Sequence, residues 1–170
     1  MSRVIADMSA LLSIASAPDV LDTVFDEYDV LVPREVVDEL EETAEYDDET
    51  ANTADEVLSR LDDNAVRNAE LNTDFPLDEG ENAAVSLAKR ENVDLFLYDG
   101  FNRIGLIHAS LTDVRLVTTP KLLEVLVHKD ALSEEEAVDA LDDMTEARSW
   151  KGNSYVRRAR EMLLGNSRDS

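Results

Sequence analysis

Cysteine is absent from the 170 residues, which excludes a disulfide framework and any thiolate-bound metal. Glycine (5) and proline (4) are too scarce for a collagen-like or low-complexity chain. The two histidines, His108 and His128, both fall inside helical patterns and read as packed or surface residues. No apolar run is long enough to cross a bilayer, so no membrane contact is expected. The opening MSRVIADMSALL is broken by Asp7 and reads as a strand and a helix, not as a signal peptide. Neither a G-x-S-x-G elbow nor a P-loop is present. Asp7-Met8-Ser9 lacks the second Asp of a phosphatase D-x-D. The acid pair and late Lys-Pro of a phospho-receiver are missing as well, since Pro120-Lys121 runs in the wrong order.

Lysine is scarce too, with 4 residues beside 12 arginines. Acids are abundant: 39 Asp and Glu against 16 Lys and Arg give a formal charge of −23. Hydrophobic residues make up 44%, far too many for an acidic disordered chain. Such a charge strains a compact domain at low ionic strength. In molar salt the Debye length drops to about 3 Å and the repulsion is screened. An ordered, lysine-poor, acid-coated chain fits a salt-loving cytoplasm, and a halophilic archaeon is the expected source. A soluble cytoplasmic protein is expected.

Four short apolar runs are not alternating, as in buried parallel strands. They are Val4–Asp7, Asp29–Pro33, Asp94–Asp99 and Val114–Thr119. Helical periodicity fills the gaps, over Pro18–Phe25, Arg34–Leu40, Asp55–Leu71, Glu79–Lys89, Arg103–Leu111, Leu122–Val127 and Ser154–Leu164. Ser133 and Glu136 match a capping box for one further helix. The acidic stretch Glu41–Glu56 reads as a solvated helix end and loop. Strands alternating with helices predict an α/β domain with a mostly parallel sheet.

In such sheets ligands bind beyond the carboxyl ends of the strands. The first run ends in Asp7 and the third in Asp99, just before Gly100. Glu39, on the helix after the second strand, and Glu81, one residue after Gly80, can reach the same edge. Four oxygen donors without His or Cys suit a hard cation such as Mg²⁺ or Mn²⁺, and hydrolysis of a phosphodiester. Composition alone makes acids common here. Asp38, Glu41 and Glu42 compete with Glu39, and Asp78 and Glu79 with Glu81. Asp7 and Asp99 stand out because each follows a buried strand, where an unpaired carboxylate is costly.

Four segments together resemble a PIN domain: Val4-Ile5-Ala6-Asp7-Met8-Ser9, Val32-Pro33-x-x-Val36-Val37-Asp38-Glu39-Leu40, Leu77-Asp78-Glu79-Gly80-Glu81-Asn82-Ala83-Ala84, and Leu95-Phe96-Leu97-Tyr98-Asp99 with Arg103 four residues on. The resemblance spans nearly the whole chain. It implies a three-layer α/β/α domain over 1–165, with a central, mostly parallel sheet of four or five strands, and a frayed tail at 166–170. It further implies a metal-dependent endoribonuclease, often the VapC-type toxin of a toxin–antitoxin pair, with RNA as substrate and an antitoxin protein as partner. A homodimer is expected. By this resemblance Asp7, Glu39, Glu81 and Asp99 form the catalytic, Mg²⁺- or Mn²⁺-binding pocket, with Asp7 and Asp99 as direct ligands. Ser9 would hold Asp7 or a metal-bound water, or else cap the following helix. Arg103 would touch phosphate or pair with Asp99. Two departures stand out. Many relatives carry Asp-Asp where this chain has Tyr98-Asp99, and the segment between Glu39 and Glu81 is long and acidic. A PIN-fold scaffold that binds a partner without cutting is the alternative.

The cations are unevenly placed, with 6 of the 16 in the last 23 residues: Arg148, Lys151, Arg157, Arg158, Arg160 and Arg168. Arg157 and Arg160 share a helical face and are candidate RNA contacts, with Trp150 and Tyr155 near them for base stacking. The competing reading has the arginines complementing the helix dipole and nearby acids, with Trp150 in the core.

Overall fold

The computed structural model describes residues 2–71, 77–111 and 113–169, without the side chains of 166–169. The strands are β1 (Ser2–Ala6), β2 (Tyr28–Pro33), β3 (Val66–Arg67), β4 (Leu95–Leu97) and β5 (Arg115–Val117). The helices are α1 (Met8–Ala15), α2 (Pro18–Glu27), α3 (Arg34–Ala44), α4 (Glu49–Arg60), α5 (Glu79–Arg90), α6 (Ile104–Ser110), α7 (Thr119–His128), α8 (Glu134–Ala147) and α9 (Ser154–Asp169). A short 3-10 turn, Phe101–Arg103, leads into α6.

The strands form one parallel sheet in the order β3-β2-β1-β4-β5. Both faces are covered, which is why the strand segments are apolar without alternation. Val4, Ala6, Val30, Val32, Leu97 and Val117 face a layer that includes α1, α2, α7, α8 and α9. Ile5, Leu31, Phe96 and Tyr98 face α5 and α6. The result is the expected three-layer α/β/α arrangement. The order reverses at β1, which pairs with β2 on one side and β4 on the other. The β1–β4 crevice is therefore the place where this topology puts a ligand.

Two helix starts carry full capping boxes. Asp78 and Glu81 open α5, and Ser133 and Glu136 open α8, the second as the sequence predicts. The acidic middle of the chain departs from expectation. Glu41–Glu56, expected as helix end and loop, contains the last turn of α3 and the first two thirds of α4. Asp48 caps α4 by accepting from the Ala51 N–H at 2.8 Å, and Ala51, Ala54 and Val57 are buried. Alanine at this spacing lets α4 pack closely on α3 and α1 while its acids stay in water. The predicted helix Asp55–Leu71 stops at Arg60 because Asp62 offers its own turn, accepting from the N–H groups of Asn64 and Ala65 at 2.9 Å each. The chain then adds β3, two residues long, beside β2. A strand that short leaves no sequence pattern. In the segment expected to fray, the backbone is helical as far as Asp169, and Ser170 lies outside the described residues. No helix among the described residues is long and apolar enough to cross a membrane.

Candidate active site

Asp7 leaves the carboxyl end of β1, and its N–H donates to the Leu97 carbonyl at 3.1 Å, extending the β1–β4 pairing by one step. It occupies the N-cap position of α1 but makes no side-chain cap bond, so the carboxylate turns into the crevice. The side chain is 7% exposed. Burial pushes its carboxyl up to about 6, partly offset by the Ser9 hydroxyl, and Glu81 and Asp78 push the same way as burial.

Ser9 lies inside α1, so the capping alternative falls. Its hydroxyl donates to Asp7 Oδ2 at 3.0 Å and accepts from the Asp99 N–H at 3.1 Å. One serine thus ties the end of β1 to the end of β4.

Glu39 is half-buried on α3, while Asp38, Glu41 and Glu42 are exposed. Burial, then the charges of Asp7, Asp78, Glu79 and Glu81, push its carboxyl up to about 7. The approach of Glu39 depends on Gly80. A methyl group at position 80 would stand 2.1 Å from Glu39 Oε1.

Glu81 is 5% exposed, and both of its oxygens are engaged. Oε1 accepts from the Asp78 N–H at 3.3 Å and pairs with Arg103 Nη2 at 3.0 Å. Oε2 accepts from the Tyr98 hydroxyl. Burial and the Glu81 charge raise the Tyr98 phenol above its ordinary range, so it stays a donor. The tyrosine ring folds back over Gly100, where a methyl group would meet the hydroxyl at 2.2 Å. Arg103 therefore reaches Glu81. It sits on the 3-10 turn, beyond Gly100, so it forms no helical i,i+4 pair with Asp99.

Asp99 turns away from this cluster. Its Oδ1 accepts from the Thr119 N–H at 2.6 Å and its Oδ2 from the Thr119 hydroxyl, at the start of α7. Burial raises its carboxyl to about 6, against the lowering effects of Thr119, Ser13 and the Arg148 charge. The structure thus gathers Asp7, Glu39 and Glu81, with Asp78 beside them, and joins Asp99 to them through Ser9. Among the described residues no three His, Asp or Glu side chains are close enough to enclose one ion.

The basic tail divides. Arg160 is paired with Asp142, and Arg157 is exposed on α9. Trp150 is 7% exposed and packs edge-on against Phe101 at 5.2 Å. Tyr155 is 41% exposed, with one ring face stacked on Phe101 at 5.1 Å. The side chain of Arg168 lies outside those described.

Three residues of this neighbourhood escaped sequence reasoning. Tyr98 was legible as a departure from the family pattern, but its hydrogen bond to Glu81 was not. Thr119 stands two residues beyond β5, as Asp99 does beyond β4, a weak signal of a strand-end residue. Arg148 carries no local signal, because α8 alone brings it near Asp99.

A parallel α/β sheet with buried acids where its order reverses defines a class of domains that bind their ligand in the crevice beyond the carboxyl ends of the strands. The PIN-domain family model matches residues 3–163, and the chain belongs to that family. PIN domains are usually nucleases and typically use divalent metals. Neither the curated proteins nor the solved structures contain a match.

Proposed function

We propose that this chain is a Mg²⁺- or Mn²⁺-dependent endoribonuclease that hydrolyses RNA phosphodiester bonds. One observation carries the reading: buried Asp7 and Glu81 and half-buried Glu39 crowd together at the sheet's reversal crevice, where burial and the neighbouring charges push the carboxyls of Asp7 and Glu39 up. A cation relieves that repulsion. The donors are all oxygen and fit a hard ion that keeps several waters and takes one or two carboxylates directly. Asp7 and Glu39 would hold it. Glu81, bonded through both oxygens, would complete the pocket through water, and Asp99 would fix the far wall. Bound there, the ion supplies charge stabilisation at the phosphoryl oxygens.

The chain's own residues do the rest. Ser9 locks the Asp7 carboxylate by donating to Oδ2. Tyr98 and Arg103 hold Glu81 in place. Glu39, half-buried where Asp7, Glu81 and Asp99 are buried, would also take a proton, on whichever of its two oxygens does not face the ion, from a water attacking phosphorus as the P–O bond to the leaving ribose breaks. Purified protein in molar KCl with Mn²⁺ is expected to cut RNA, and EDTA to stop it. Asp7→Asn is expected to abolish cutting with the fold intact. Mn²⁺ at about a hundred times its dissociation constant is expected to add about 3 kcal/mol of stability, roughly 5–10 °C in Tm.

The Tyr98 hydroxyl on Glu81 favours a second reading, a PIN-fold scaffold that binds a partner without cutting. It predicts no Mn²⁺ shift and no cleavage. Within the nuclease reading, the toxin role predicts growth arrest on expression, relieved by an antitoxin encoded beside it.

A further inference from the structure

Beyond the open edge of β5 lies a cavity of about 410 Å³, within the range of small-ligand sites. Leu116 and Met162 are part of its apolar wall, and Tyr155, Lys121, Glu124, Arg158 and His108 line it beside them. Tyr155, Arg158 and Met162 are spaced three and four apart on α9, so one helix face supplies ring, cation and apolar floor. The Tyr155 ring is held by Phe101 behind it, at an interplanar angle of 15°. Glu124 is paired with Lys121 at 3.5 Å, so the two cations outweigh the single acid. In a chain of charge −23 that local balance is unusual. One residue separates the cavity wall from the support of Asp99: Thr118 lines the cavity, and the next residue, Thr119, holds Asp99.

We propose that this cavity is a subsite for one nucleotide of the RNA, with its base against Tyr155 and its phosphate between Lys121 and Arg158. The inference rests on the nuclease reading and deepens it by placing a substrate unit. The occupant follows from the chemistry on the walls. A positioned aromatic ring beside two cations matches a ligand that is planar and anionic at once. Arg158, rather than Arg157 or Arg160, is then the arginine of α9 that meets RNA.

The test needs no catalysis. Full-length protein in molar KCl with EDTA is titrated with AMP and GMP, and separately with ribose 5-phosphate and inorganic phosphate, with amide NMR shifts as the readout. Nucleotides are expected to bind in the millimolar range or tighter and to shift residues around Tyr155 and Thr118. Tyr155→Leu and Arg158→Gln are each expected to weaken them about tenfold, the size of one lost stack or charge contact. The proposal is overturned if millimolar nucleotide does not bind, or if ribose 5-phosphate binds as tightly as AMP. It is also overturned if wild type is a dimer that Met162→Glu splits, with no nucleotide bound. Nucleotide binding in a protein that never cuts RNA would uphold the subsite and sink the nuclease reading alone.

Discussion

Asp7 follows three residues that are completely buried, Val4, Ile5 and Ala6, and is itself nearly closed off from water. Its charged form therefore opposes folding. At pH 8 without divalent cation, Asp7→Asn is expected to make the protein more stable, by on the order of 2–3 kcal/mol, while removing cleavage and the Mn²⁺ shift. Denaturant unfolding with and without Mn²⁺ measures both. A variant that is inactive yet no more stable would contradict the burial argument. Gly80 offers a separate handle on the site. Gly80→Ala puts a methyl group against the carboxylate end of Glu39, a flexible group that can swing out. The expected outcome is a folded protein with at least tenfold weaker Mn²⁺ binding, a loss of about 1.4 kcal/mol. Calorimetric titration checks it.

At the scale of elements, α5 does two jobs with one carboxylate. Glu81 closes the capping box with Asp78 and also faces the crevice. Asp78→Ala removes the bond that the Glu81 N–H makes to Asp78 Oδ1 at 2.8 Å. It is expected to cost about 1 kcal/mol, or roughly 2–4 °C in Tm, and to lower cleavage as Glu81 loses its frame. Ser133→Ala is the control. It breaks an equivalent box at the start of α8, the end opposite Arg148 and Asp99, so it is expected to lower Tm without lowering cleavage. Equal loss of activity in both variants would show that the effect is general destabilisation. The end of β4 is arranged in the same economical way, since Gly100 admits the Tyr98 ring that holds Glu81.

For the whole molecule, charge and pH act together. Asp7 and Asp99 titrate near 6 and Glu39 near 7 in the fold, against ordinary values of 3.8 and 4.5. Between about pH 4 and 7 the folded chain holds more protons than the unfolded one, so these groups make stability fall as pH rises. Glu136, held below its ordinary value by Ser133, acts in the opposite sense at more acid pH. In molar KCl without divalent cation, Tm is expected to decline from pH 5 to pH 8, and Mn²⁺ at pH 8 to restore it. A flat profile in a thermal scan would contradict the raised carboxyls. At fixed pH, lowering KCl from molar to about 0.1 M lengthens the Debye length from about 3 to 10 Å and is expected to lower Tm as the −23 charge repels itself.

Local pattern determined most of the elements. Four buried strands, most of the helices, the box at Ser133 and the acids at the ends of β1 and β4 are legible because apolar period and turn chemistry act over a few residues. The same locality explains what was hidden. The two-residue β3 is too short to carry a period, and the first half of α4, ahead of the helix expected from Asp55, was masked by its surface acids although its alanines face inward. The choice of Glu39 over Asp38, Glu41 and Glu42 depended on which side of α3 meets Gly80. The division of labour at the crevice was decided only by packing. Asp99 is drawn to Thr119, 20 residues later, Glu81 to Tyr98, 17 residues later, and Arg148 to Asp99 from the far end of α8. A side chain's polar partners come from whichever elements the sheet order brings beside it. That order is set by long-range burial of apolar faces, and no spacing along the chain encodes it.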